Sequence, residues 1–191
     1  MGVKVAPGID YDALPWDCEV EVVSLGGEVK EAVLWFGQLK QGSRTATVLP
    51  AAAILHFAAV PVVPVGAPLR YVYEPDGAVI RAHLVQQLAH LLDAAQIDPQ
   101  IAFLTSDSLR FTPFARVFEV IETLPFNLKQ LRSRLRSMNV GHVVVKKRGS
   151  PIDPQWLEKQ LRLVGEHAMT VILTQVVSRP VAILCQPVTA N

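Results

Sequence analysis

Cysteine is nearly missing from this chain: its 191 residues hold two, Cys18 and Cys185, with no CxxC or histidine spacing around them. That excludes a disulfide framework and a thiolate zinc site, and it suits a reducing cytoplasm. Cys185 lies inside the apolar run VAILC, where a small buried hydrophobe is expected rather than a reactive thiol. The opening residues MGVKVAPGID lack a basic region followed by an apolar one, so no signal peptide is expected there. Residues 45–69 lack formal charge altogether, which invites a membrane reading. Pro50, Pro61, Pro64 and Pro68 interrupt them, however, and no unbroken apolar block approaches the roughly 20 residues a bilayer needs. Short buried strand pieces joined by a proline-rich connector are expected instead. Catalytic signatures are missing too: there is no Ser/His/Asp or Cys/His motif, no HExxH, no phosphate-binding loop and no GxGxxG. The lone glycine pair, Gly26-Gly27, reads as a turn, and Asp10, Asp12 and Asp17 as solvated loop residues.

What is present is enough apolar sequence, 50 % of the chain, to bury a proper core. The net charge of +1 conceals a division. Residues 1–124 carry 8 Lys and Arg against 14 Asp and Glu, a net of −6, whereas residues 125–191 carry 10 against 3, a net of +7. A basic C-terminal third points towards a polyanionic partner, although surface charge also serves solubility.

Along the chain, Val20–Val23 alternates with acidic residues before the glycine pair and reads as a strand, joined by strands at 2–6 and 44–49. Val29, Ala32, Val33 and Phe36 stand at helical spacing, which predicts a helix over 28–39. The segment EPDGAVIRAHLVQQLAHLLDAAQ predicts one long helix capped by Asp76, with His83 and His90 seven apart on one face; that spacing suits exposed or capping histidines better than metal ligands. Strands are expected at 101–105 and 116–123. From Phe126 onward the pattern is regular. Asn127 and Gln130 form a capping box, Leu128, Leu131, Leu135 and Met138 make a buried stripe, and Gly141 ends the helix. A strand at 142–148, a helix capped by Asp153 with Pro154 at its first position, and apolar strands at about 169–177 and 180–185 complete a small α+β layer with helices on one face.

These residues resemble a known family. The entry LPFNLKQLRSRLR, the KKRG turn and the ending LTQVVSRPVAILC are similar to the THUMP-like domain of bacterial class I S-adenosylmethionine-dependent methyltransferase-like proteins. VKVAPGIDYDALP, EVKEAVLWFG, YEPDGAVIRAHLV and IAFLTSDS are similar to the part leading into it. The resemblance implies an α/β and α+β chain: residues 1–60 as the last strands of a Rossmann-type methyltransferase sheet, 61–124 as a linking α/β segment, and 125–191 as a THUMP-like module related to ferredoxin-like folds. It implies S-adenosylmethionine as cofactor of the full-length proteins. Without a glycine-rich cofactor turn, none is expected for this chain alone, and a missing N-terminal methyltransferase half is its expected partner. A sheet remnant of that kind would expose an apolar edge open to self-association.

THUMP domains of RNA-modifying enzymes bind RNA, so tRNA or rRNA is the expected ligand of the basic module. The candidate contacts are Lys129, Arg132, Arg136, Lys146, Lys147, Arg148 and Arg162. Only Phe126 and Trp156 are aromatic after residue 124, which favours backbone recognition over base stacking. The opposing reading treats Lys146–Arg148 as a solvated strand end, because pleating puts Lys147 on one side and Lys146 and Arg148 on the other. Two functions stay open on the sequence. One is an RNA-binding part of a methyltransferase; the other is a structural domain that docks on a methyltransferase subunit and touches no nucleic acid.

Overall fold

The computed structural model describes residues 1–189 and divides them into two compact units. The first gathers 1–63, 74–94 and 110–116; the second gathers 64–73, 95–109 and the chain from 117 onward. The segment between 61 and 124 is therefore shared between the units.

The first unit is built on a five-stranded sheet of order β1-β3-β2-β4-β5. Its strands are β1 (Gly2–Val5), β2 (Glu19–Leu25), β3 (Glu28–Trp35), β4 (Arg44–Leu49) and β5 (Ala53–His56). The expected helix over 28–39 is a strand followed by a single 3-10 turn, Gly37–Leu39. Two glycines at positive φ, Gly26 at 61° and Gly27 at 89°, turn the chain back so that β3 pairs antiparallel with β2. Once paired, the alternation of Ala32 and Leu34 inward against polar neighbours outweighs the helical spacing. Val20, Val22, Ala32, Leu34, Ala46 and Val48 form the buried face, on which α1 (Gly77–Arg81) packs.

Asp76 caps α1, accepting from the Ala78 amide at 2.8 Å. The long helix expected from there breaks at His83, whose φ of +58° is incompatible with helical continuation; α2 (Val85–Leu92) starts afresh after Leu84. His83 and His90 thus share no helix face. His83 stands beside Asp12 and Arg44, and His90 Nε2 lies 2.7 Å from the Pro61 carbonyl. Among the described residues no helix is long and apolar enough to cross a membrane; the charge-free residues form β4, β5 and the extended chain after them.

The second unit carries a seven-stranded sheet of order β10-β11-β12-β9-β6-β8-β7. Here β6 is Tyr71–Pro75, β7 Ala95–Asp98, β8 Ile101–Ser106, β9 Ala115–Pro125, β10 Val140–Lys147, β11 His167–Val176 and β12 Arg179–Val188. Two helices, α3 (Leu128–Ser137) and α4 (Pro154–Leu161), start and stop close to where their caps predict. Asn127 Oδ1 accepts from the Gln130 amide at 3.0 Å, and Asp153 Oδ1 from the Trp156 amide at 2.7 Å.

Both faces of β11 are covered, as its apolar run requires. Met169, Val171 and Leu173 meet Leu131, Leu135, Leu157 and Leu161 of the helices. Ile172, with Ile183 and Cys185 of β12, meets Ile97, Ile101 and Phe103 of β7 and β8. The sheet curls so that β7 touches β11, and Asp98 Oδ2 accepts from the Ser178 amide at 2.9 Å to hold the curl. Strands β5, β6 and β7, at four or five residues each, are too short to show a period in the sequence.

Candidate nucleic-acid interface

The seven cations singled out above fall into two groups on opposite faces of the second sheet. Strands β9 and β11 both run antiparallel to β12, and β10 runs parallel to β11, so β9, β10 and β11 share one direction. Each of α3 and α4 carries the chain back against that direction, which makes the two helices parallel to each other.

Lys129, Arg132 and Arg136 recur at spacings of three and four and form one stripe along α3. The stripe faces α4. Arg132 donates from Nη2 to the Gln160 carbonyl, and Arg136 from Nη2 to the Arg162 carbonyl at 2.8 Å. Both acceptors belong to the C-terminal turn of α4, where carbonyls lack helical partners and the helix dipole is negative. Arg162 closes α4 at φ +47°. Two candidate phosphate contacts thus serve first as a cap for the neighbouring helix. The Arg132 Nε–H is buried and has no acceptor among the described residues. Lys129 is exposed, and Arg134 pairs with Glu122 on another flank.

Lys146 and Arg148 of the KKRG turn belong to the other group. Lys146 Nζ lies 5.6 Å from the centroid of the Phe118 ring, and Arg148 Cζ 5.7 Å from that of Phe103. Both rings belong to the core on the sheet face away from the helices. Their alkyl stems shield aromatic surface while the charges contact the rings, at about 0.5 to 1 kcal/mol each for exposed cation–π pairs. Gly149 follows at φ +72°, and a Cβ there would stand 2.4 Å from Ile101 Cδ1. Lys147 points the other way and is exposed, so pleating divides the triplet as the alternation requires. Lys146 and Lys147 also end β10, which among the described residues pairs only with β11 and is the sheet's edge; lysines on an edge strand discourage pairing with another chain.

One aromatic on the helical layer carries more weight than composition suggested. Trp156, on α4, is 47 % exposed. It stands one turn before Gln160, the residue that Arg132 reaches, and Lys159 is its neighbour at a spacing of three.

A separate constellation lies in the first unit. On the sheet face away from α1, Glu19, Glu21, Trp35, Thr45, Ile54 and His56 line an open cavity of about 290 Å³. Glu19 is 4 % exposed and accepts from the Thr45 hydroxyl at 2.5 Å and from the Gln41 and Gly42 amides at 2.7 and 3.1 Å. Since Thr45 gives its proton to Glu19, His56 Nδ1, 3.1 Å away, is the donor to the Thr45 oxygen. Glu21 accepts from Thr47 at 2.5 Å and from the Trp35 indole at 2.8 Å. Burial pushes the Glu19 carboxyl up, but the Thr45 hydroxyl, the two amides and the charge of His56 together hold it below its usual range. Among the described residues no group of three or more His, Cys, Asp or Glu could hold a metal. The alternation of CEVEV shows the two glutamates in the sequence, but not their partners 26 positions away.

A family model described as THUMP domain-like matches residues 115–187. Over 97 % of its length the chain is 36 % identical to an uncharacterized S-adenosylmethionine-dependent methyltransferase of Mycobacterium tuberculosis, found in the strains CDC 1551 and H37Rv. It spans about half, 54 %, of that relative. The crystal structure of a protein given as a methyltransferase from Porphyromonas gingivalis W83 superposes with a TM-score of 0.80 over 98 % of this chain and 51 % of the other, at 21 % identity, which shows a shared fold. Residues 115–187 thus match a THUMP-like domain, and nearly the whole chain is similar to about half of a protein named as a methyltransferase.

Proposed function

We propose that this chain is the RNA-holding part of an S-adenosylmethionine-dependent methyltransferase and presents RNA to catalytic groups on the portion of its relatives that it does not match. The observation that carries this reading is the cationic stripe Lys129–Arg132–Arg136 beside Arg162 on the helical layer of a domain with net charge +7. Several lysines and arginines on one surface release counterions on meeting a phosphate backbone.

In this reading the first 60 residues are the last strands of the methyltransferase sheet. Strand β1 supports it, because it pairs with β3 on one side and lies at the end of the sheet order. Residues 61–124 link this remnant to the THUMP-like module, and the enzyme works in the cytoplasm. The chain's own residues do not suit the cofactor. Gly26-Gly27 joins two antiparallel strands, with no helix N-terminus after it to receive an anionic group.

Binding of a tRNA pool, followed by fluorescence anisotropy across a salt series, tests the proposal. Each phosphate contact should contribute about −0.7 to −0.9 to the slope of log K against log salt. Lys129→Glu should flatten that slope by about one unit while far-ultraviolet circular dichroism stays unchanged. Salt-independent or absent binding would sink the RNA reading.

A second reading has one specific observation behind it: Arg132 and Arg136 already cap α4, and Lys146 and Arg148 already cover Phe118 and Phe103. Four of the seven cations thus serve the fold, as a docking module without nucleic acid would also need. That alternative expects the same chain to bind the methyltransferase half with RNA absent.

A further inference from the structure

We infer that the groove between α3 and α4 recognises an unpaired nucleobase, with Trp156 as the stacking platform and Lys129 and Lys159 flanking it for the adjoining phosphates. The inference rests on the RNA reading above and specifies the form of RNA.

Three features of the helical layer lead to it. First, Trp156 is 47 % exposed with no ring against it, whereas Trp35 donates to Glu21, and Trp16, though 59 % exposed, meets the ring of Phe36 edge-on. Among the described residues Trp156 stacks on no ring.

Second, the two parallel helices place the groove's walls in register. Arg132 reaches Gln160 and Arg136 reaches Arg162, so Lys129, one turn earlier on the α3 stripe, runs beside the first turns of α4, where Trp156 sits. Lys159 is on the same side of α4 as Trp156, whereas Glu158 lies about 200° around the helix from it. Lys129 and Lys159 therefore flank the indole, while the Asp153 carboxylate is held on the Trp156 amide at 2.7 Å as the helix cap.

Third, the Arg132 guanidinium has one nitrogen on the Gln160 carbonyl and a buried Nε–H with no acceptor. A buried donor left unpaired is costly, and a shift of the Arg132 side chain towards the groove would pair it with an incoming phosphate or base oxygen. A π-face flanked by two lysines matches a base and its phosphates rather than a continuous duplex, whose bases are already stacked.

The test compares a labelled single strand of about 12 nucleotides with the duplex of the same sequence. Each is titrated against the full chain carrying the natural residue, Trp156→Ala, Trp156→Phe or Lys129→Glu. We expect the single strand to bind more tightly than the duplex. Trp156→Ala should weaken it about tenfold without changing the salt slope, and Trp156→Phe should keep most of the affinity. Lys129→Glu should change the slope instead. If the natural chain binds both forms equally and Trp156→Ala binds like the natural chain, with a steep salt slope throughout, stacking is overturned while the RNA reading stands. If neither form binds, both fall. Displacement of the strand by polyglutamate at equal charge concentration would mean an acidic peptide surface and would also overturn the inference.

Discussion

Arg136 donates from Nη2 to the carbonyl oxygen of Arg162 at 2.8 Å, so one basic residue of the α3 stripe closes the end of the helix beside it. The bond joins a cation to the negative end of a helix, an arrangement worth more than an ordinary exposed contact but screened because Arg136 faces water. Arg136→Ala should cost about 1 kcal/mol, and Arg132→Ala more, since its guanidinium is better buried. Urea unfolding should show a lower midpoint at unchanged m-value for both. A loss of RNA binding in either variant therefore mixes stability with contact. Lys129, with no such duty, is the cleaner probe.

Gly149 is fixed by its neighbour as well as by its backbone. At φ +72° any side chain is strained by about 1 to 2 kcal/mol, and a Cβ would meet Ile101 Cδ1 at 2.4 Å. Gly149→Ala should thus cost more than the backbone term alone. Ile101→Val deletes the clashing methyl, so the double variant should be more stable than the two single losses added together. Strict additivity in thermal unfolding would show that KKRG does not press on β8.

The two thiols should react differently although neither is in a disulfide. Cys185 is fully buried, its Sγ directed at the Thr170 carbonyl at 3.6 Å. For Cys18, burial pushes the thiol up and the Asp17 charge adds to it, against a smaller opposing effect of Lys40. A thiol held above its ordinary pKa presents little thiolate. A disulfide reagent at mildly alkaline pH should modify Cys18 alone and slowly in the native chain, and both cysteines once it is unfolded. Rapid modification of Cys185 would mean that the core around Ile172 and Ile183 opens readily.

Much of the second unit was legible because its signals are local. Asn127 and Asp153 cap the helices they announce, and the apolar runs of β11 and β12 lie between two cores. The first unit misleads for a physical reason. Val29, Ala32, Val33 and Phe36 satisfy a helical period, but the register set by Gly26-Gly27 and by pairing with β2 is a nonlocal fact. His83 breaks the long helix through a left-handed backbone that its residue type does not signal. At the candidate interface the charges were visible and their duties were not. That Arg132 and Arg136 serve α4, or that Lys146 covers Phe118, depends on which helix lies beside which and which ring lies under the strand.

The buried carboxylate of Glu19 gives the chain an acid-sensitive site whose sign follows from its partners. In the unfolded chain the group titrates near its ordinary value of about 4.3. In the fold, burial opposes ionisation, yet the Thr45 hydroxyl, the Gln41 and Gly42 amides and the charge of His56 outweigh it and hold the carboxyl lower. A depressed folded value stabilises the protein above the unfolded pKa, and that contribution fades as pH falls through the folded one. Urea midpoints measured between about pH 7 and about pH 3 should therefore decline in the natural chain more than in Glu19→Gln, which lacks the titrating group. Thr45→Val should show a shallower decline than the natural chain, because removing the hydroxyl donor at 2.5 Å takes away part of what holds the carboxyl low. It should also be less stable at neutral pH, where an ionised buried oxygen is left with one donor fewer. Identical pH profiles for all three proteins would show that the network around Glu19 does not hold its charge in solution.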